Sequence, residues 1–224
     1  MRVRQRRRQS LTQVTRPAAF ERKVDAGADR IGESDGIRCM IRLFTIGHST
    51  RPLEAFLELL RENDIGTVID ARRFPMSRRH PHYNGDSLAE SLERAGIAYR
   101  HEVDLGGRRA VRSNSPNGAW RNATFRGYAD HMDTAEFRNA LARVLADADA
   151  GATAVLCAEA LPWRCHRNLI ADAAVARGLD VLHIMGSQQL QAHTLNPSAR
   201  IRPDGTLEYP QANPQLELDG ADGL

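Results

Sequence analysis

Lysine is almost missing from this chain. Of the 31 basic residues among 224, thirty are arginine and only Lys23 is lysine. The planar guanidinium fork suits bidentate pairing with phosphate or carboxylate, although a coding bias toward GC-rich DNA gives the same composition. Cysteine is scarce as well. Cys39, Cys157 and Cys165 are three in number, with no repeated short spacing, which argues against a disulfide framework and leaves reactive thiol, metal ligand or core filler as their roles. No apolar run approaches the ~18 residues of a membrane span, and the first thirty residues carry no secretory apolar stretch. The expectation is a soluble cytoplasmic protein with no membrane partner.

What is present suits one globular domain: 42% of residues are hydrophobic and 26% charged, too apolar for wholesale disorder. The net charge of +3 is unevenly spread. Residues 1 to 30 hold nine basic side chains against three acidic ones, for +6, so residues 31 to 224 sum to 3 − 6 = −3. Arg72 to Arg126 contains eleven arginines against Asp86, Glu90, Glu93, Glu102 and Asp104, a surplus that should attract anions.

Three segments follow from the patterning. Residues 1–38 show no sustained period and read as a disordered basic extension. Met40 stands directly before the first strand, so the functional protein can begin there; the alternative role for the extension is an arm that binds nucleic acid electrostatically. Residues 39–195 read as the folded domain. Residues 196–224, with four prolines, read as an irregular tail.

Within the domain, strands alternate with helices. Leu43 to Ile46 is a short apolar strand, and the next helix carries Leu53, Phe56, Leu57 and Leu60 on one face, with Ser49 or Thr50 as cap and Pro52 in its first turn. Strand Thr67 to Ala71 leads through an Arg/Pro/His-rich loop to a helix near Asp86 to Ala95. A strand around Ile97 to Val103 precedes a polar stretch, Leu105 to Arg126, long enough to be a functional loop. A helix from about Asp133 to Ala148 shows capping-box spacing at Asp133 and Glu136. Ala152 to Cys157 is an apolar run of the kind buried on both faces, and a helix from about Arg164 to Arg177 and a strand Val181 to Ile184 complete the pattern. This predicts an α/β fold: a mainly parallel sheet flanked by helices on both faces, in a single domain.

Ligands of such folds bind beyond the carboxyl ends of the strands, where the unusual segments of this chain all fall. In Cys157-Ala-Glu-Ala-Leu-Pro-Trp-Arg-Cys-His-Arg167 a buried strand passes through a turn into a helix start, a place that favours anions, with Arg164 and Arg167 as bidentate partners. Cys165 reads as a nucleophile of lowered pKa beside His166, or as a small buried residue with His166 a cap or core histidine. Six residues separate Cys157 from Arg164, one too many for a cysteine–arginine anion cradle. Cys157, Cys165, His166 and His48 are of zinc-ligand type, but their spacing is no standard zinc pattern, so no cofactor is expected. Asp70, Asp104 and Glu159 follow three strands and are candidates for acid or base work, or for ion pairs that fix loops. Glu159 is the stronger catalytic candidate because a carboxylate directly after a buried strand is costly without a purpose. His48, after Gly47, is acid, base or cap. Phe74, Tyr83, Trp120, Phe125 and Tyr128 interleave with arginines, which suits stacking on bases or packing loops onto the sheet.

Thr45-Ile-Gly-His-Ser49, Asp70-Ala-Arg-Arg-Phe-Pro-Met-Ser-Arg78, Leu105-Gly-Gly-Arg-Arg109, Phe125-Arg-Gly-Tyr-Ala129 and Cys157-Ala-Glu159 with Cys165-His-Arg167 together resemble the domain-of-unknown-function 488 family across residues 41 to 190. The resemblance implies an α/β fold and a shared site at His48, Asp70, Arg72, Glu159, Cys165, His166 and Arg167, and it supplies no substrate.

The leading expectation is an enzyme acting on a phosphate-bearing substrate, a nucleotide or nucleic acid, by hydrolysis or group transfer. Arg72, Arg164 and Arg167, with His166, would hold the anion, while Glu159, His48, Cys165 and Asp70 would do the chemistry. A non-catalytic nucleic-acid-binding module and a thiol-based redox or sulfur-handling protein are the alternatives.

Overall fold

Five short runs of apolar and β-branched residues line up side by side, covered on both faces by helices. The computed structural model describes residues 40–211. The basic extension, Cys39 and residues 212–224 of the expected tail lie outside the described residues. Strands β1 (Arg42–Gly47), β2 (Thr67–Asp70), β3 (Ala98–His101), β4 (Thr153–Cys157) and β5 (Asp180–Gly186) are parallel, and β6 (Gln189–Ala192) adds an antiparallel edge, in the order β3-β2-β4-β1-β5-β6. Every residue of β4 is buried, because the strand pairs with β2 on one side and β1 on the other and has helices above and below.

Successive side chains of a strand serve opposite cores. Helices α1 (Leu53–Glu62) and α2 (Gly85–Arg94) bury Phe56, Leu60, Leu88 and Leu92 against Phe44, Ile46, Val68 and Leu156. On the other face α3 (Ala123–Met132), α4 (Ala135–Ala150) and α5 (Arg167–Val175) pack Tyr128, Phe137, Leu141, Val144 and Ile170 against Leu43, Ile69, Val155 and Val181. Each such fully buried side chain contributes about 1.5–3 kcal/mol.

The connections fix where a ligand can go. From β1 the chain moves through α1 and α2 toward β3 on one face, and from β4 it moves through α5 toward β5 on the other. The loops leaving the adjacent strands β1 and β4 therefore diverge to opposite sides of the sheet, which opens a crevice at their carboxyl ends.

Several local expectations are corrected. The cap of α1 is Pro52 rather than Ser49 or Thr50. Thr134, not Asp133, caps α4, its hydroxyl accepting from the Phe137 N–H at 3.3 Å. The stretch expected as loop to Arg126 ends earlier, at Asn122, whose side chain caps α3 by accepting from the Thr124 N–H. Phe125, Tyr128, Ala129 and Met132 had carried the helical period across that boundary. Residues 196–211, expected as irregular, include the ribbon β7 (Arg200–Ile201) and β8 (Leu207–Glu208) and bury Tyr209 completely. That docking is fixed by Asp172, which accepts from the Tyr209 hydroxyl and the Asn196 N–H at 2.8 and 3.0 Å.

Candidate functional site

The loops after β1, β2 and β4, together with the segment before α3, enclose a cleft of about 820 Å³ at the carboxyl ends of the strands. Arg72, Arg73, Arg79, Arg108 and Arg164 line it, and among the described residues Glu159 is the one carboxylate that does. Phe74 and Met76 stand at its edge, 65% and 80% exposed. Five guanidinium groups and one carboxylate line the cleft, with Arg72 already paired to the buried Asp70, so its rim carries a surplus of positive charge beside apolar surface.

Its floor is a sulfur–imidazole cluster. Cys157 ends the buried strand β4, and Cys165 follows the 3-10 turn Pro162–Arg164, so the turn folds the second thiol back over the first. The two Sγ atoms lie 2.9 Å apart, and His166 Nδ1 is 3.9 Å from Cys157 Sγ and 3.7 Å from Cys165 Sγ. The other ring nitrogen, Nε2, is 2.9 Å from the Ala71 carbonyl, which can only accept. Nε2 therefore carries a proton, and Nδ1 is the atom that faces the sulfurs. A hydrogen bond from Cys165 is the largest influence holding the Cys157 thiol well below its usual range, aided by His166 and the Glu159 N–H against the cost of burial. The same bond and burial push Cys165 up. Burial opposes protonation of His166, but the neighbouring Cys157 and the Ala71 carbonyl outweigh it and raise its pKa. The two thiols share one contact, and that contact favours the anion on Cys157 over Cys165.

A second network braces one wall. Asp70 is fully buried and accepts from Arg72 Nε and Nη2 and from the Tyr99 hydroxyl at 2.8 Å. Arg72 Nη1 donates to the Tyr83 carbonyl at 2.7 Å and lies 3.4 Å from His48 Nε2. His48 stacks on the Tyr83 ring and donates from Nδ1 to the Ser49 carbonyl. Burial, the largest influence, brings its pKa down to about 4, so at neutral pH its Nε2 is an acceptor facing a cation. Asp70 is not among the residues lining the cleft; its carboxylate is engaged by Arg72 and Tyr99, the ion-pair alternative of the two expected for it.

Further expectations change. Arg167 is 1% exposed and spends its guanidinium on the carbonyl oxygens of Glu159 and Ala160, both at 2.7 Å. It shapes the loop after β4 and is not among the side chains that line the cleft. Helix α5 begins there and not at Arg164, which instead ends the 3-10 turn Pro162–Arg164. Glu159 is exposed, which removes the argument from burial while leaving its carboxylate in the cleft. Arg164 is exposed and makes no ion pair among the described residues. Asp104 lies outside the cleft, 4.0 Å from Arg143. Of the aromatics, Tyr83 and Tyr128 are buried and Trp120 stacks on Phe125, which is packing, whereas Phe74 is exposed with the Arg73 guanidinium over its ring, 5.6 Å from the centroid.

Arg79, Arg108 and Gly107 were missed as site residues, and Cys157 was named only for its ligand type. The signal for Cys157 was its place at the carboxyl end of the most apolar strand. Gly107 had none, because its role is to leave room: a Cβ there would stand 2.9 Å from His166 Nδ1. Cys157, Cys165 and His166 also offer three metal-ligand atoms within 4.8 Å of one another.

No helix among the described residues is long and apolar enough to cross a membrane. No curated protein and no solved structure matches the chain. A family model, Domain of unknown function DUF488, matches residues 52–174, a span that runs from α1 through β4 and the sulfur cluster into α5. More than half of the chain lies within that match, and the chain belongs to the DUF488 family.

Proposed function

We propose that the protein is an enzyme acting on a phosphate-bearing substrate, a nucleotide or a nucleic-acid end, by hydrolysis or group transfer. The observation that carries this reading is the pairing of an arginine-lined cleft with a reactive floor: the cations would hold the phosphate while the Cys157–Cys165–His166 cluster faces the reacting centre. Arg164, Arg79 and Arg108 are the anion-binding candidates, because they are exposed and line the cleft, whereas Arg72 already satisfies Asp70. Glu159 is the candidate proton carrier at the cleft. The exposed ring of Phe74 suits a base stacked beside the phosphates. The test is a screen of phosphomonoesters, phosphodiesters and nucleotides followed by variant kinetics. Arg164→Ala should raise KM with little change in kcat, and Glu159→Gln should lower kcat. Full activity in both variants would overturn the assignment.

The contact between Cys157 and Cys165 favours a second reading, thiol-based redox or sulfur handling. It predicts activity that vanishes in Cys157→Ser and needs no phosphate on the substrate. A non-catalytic nucleic-acid module would instead bind oligonucleotides with an affinity that falls steeply with salt and survives Glu159→Gln.

A further inference from the structure

We infer that Cys157, Cys165 and His166 form a binding site for one zinc-type divalent ion, with its fourth position open to the cleft. Two thiolates and an imidazole are the soft and borderline donors that select zinc over magnesium or calcium. A tetrahedral zinc with Zn–S near 2.3 Å and Zn–N near 2.05 Å sets its ligand atoms about 3.6 Å apart for sulfur and nitrogen, and about 3.8 Å apart for two sulfurs. The two sulfur–nitrogen separations here, 3.9 and 3.7 Å, already stand near that value. The sulfurs, at 2.9 Å, need to open by roughly 0.9 Å to reach it.

Two further features are what such a site requires. The Ala71 carbonyl holds His166 by Nε2 and fixes the tautomer that turns the Nδ1 lone pair toward the sulfurs. Gly107 keeps the space beside Nδ1 clear, since any Cβ would intrude to 2.9 Å. Sequence spacing hid the site, because the seven residues between the cysteines are folded back by the 3-10 turn. Three protein ligands and an open fourth position describe a catalytic zinc site, where a water or a substrate oxygen completes the shell. That position would face the cleft arginines.

Metal content is read without substrate, so the inference and the phosphate reading fail separately. The full-length protein, purified under reducing conditions and dialysed, should carry about one zinc per chain by elemental analysis. After replacement by cobalt(II) it should show a thiolate-to-cobalt charge-transfer band and the intense visible bands of a tetrahedral ion. Cys165→Ser and His166→Gln should lose or shift those bands, with folding checked by circular dichroism, while Arg164→Ala and Glu159→Gln should keep them. A reduced wild-type protein that retains no metal and gives no cobalt bands overturns the site, as does an unchanged spectrum in a folded Cys165→Ser protein. A metal-loaded protein inactive on every phosphoester would leave the site standing and remove the phosphate reading alone.

Discussion

Arg167 donates to the main-chain oxygen of Glu159 at 2.7 Å, so the largest fully buried cation in the described chain holds the loop that carries the cleft's carboxylate. A second bond of the same length goes to Ala160. Each charge-assisted bond contributes about 1.5–3 kcal/mol, so Arg167→Ala should cost at least ~3 kcal/mol in urea unfolding. Arg164→Ala should change stability by less than ~0.5 kcal/mol and should weaken the thermal shift produced by inorganic phosphate. If the two variants behaved alike, the division between a structural and a binding arginine would be wrong.

Gly47 stands where β1 turns into the cleft, and a Cβ there would lie 1.8 Å from the Glu159 carbonyl oxygen. Backbone cannot retreat as a flexible side chain can, so Gly47→Ala should destabilise by more than ~2 kcal/mol through steric overlap. Gly66→Ala is the control. Its nearest contact would be 3.9 Å, and that variant should be neutral or gain up to ~1 kcal/mol from reduced unfolded-state entropy. Equal melting temperatures for the two variants would refute the close approach.

Asp70→Asn leaves Arg72, which is 6% exposed, with an uncompensated charge. Removing one partner of a buried ion pair costs about 3–5 kcal/mol. Tyr99→Phe, which deletes a single hydroxyl bond to the same carboxylate, should cost about 1 kcal/mol. Chemical denaturation of both variants orders the two effects, and a smaller loss for Asp70→Asn than for Tyr99→Phe would contradict the ion pair as the main brace.

Burial lowers the pKa of His183 to about 3, its ring held between the Thr45 hydroxyl and His193. The folded form keeps this histidine neutral, while the unfolded form protonates near pH 6.5. Unfolding therefore takes up a proton between about pH 6.5 and 3, so the stabilisation is complete above 6.5 and declines as the pH falls through that window. His183→Gln should have a lower melting temperature at pH 7.5 and a shallower decline between pH 6.5 and 4. Parallel curves for the two proteins would show that His183 does not titrate on unfolding.

The Tyr209 hydroxyl donates to Asp172 Oδ2 while His193 holds Oδ1 at 2.8 Å, so the C-terminal segment is bolted to the inner face of α5. Tyr209→Phe should cost about 1–3 kcal/mol, the penalty for leaving a buried acceptor short of a partner. Truncation after residue 195 should cost more, because Leu207 and Tyr209 are core residues. A truncated protein with unchanged stability in urea would return residues 196–211 to the status of a loose tail.

Amino-acid order alone determined the alternation of strand and helix, the buried character of β4 and the gathering of unusual segments at one edge of the sheet. Those are periodic or local properties, written in which residues are apolar and how often they recur. It also carried the family motifs and the arginine-rich composition that the cleft displays. It did not separate Arg164 from Arg167 or Cys157 from Cys165, because each pair differs only in which way a turn points its members. Tertiary structure decided those roles. Burial sent Arg167 inward to two carbonyls and left Arg164 at the cleft, and the fold-back after β4 brought the two thiols to 2.9 Å from each other. It decided too that the segment after residue 195 belongs to the core, since Tyr209 meets Asp172 across 37 residues of chain, a pairing that no local pattern encodes.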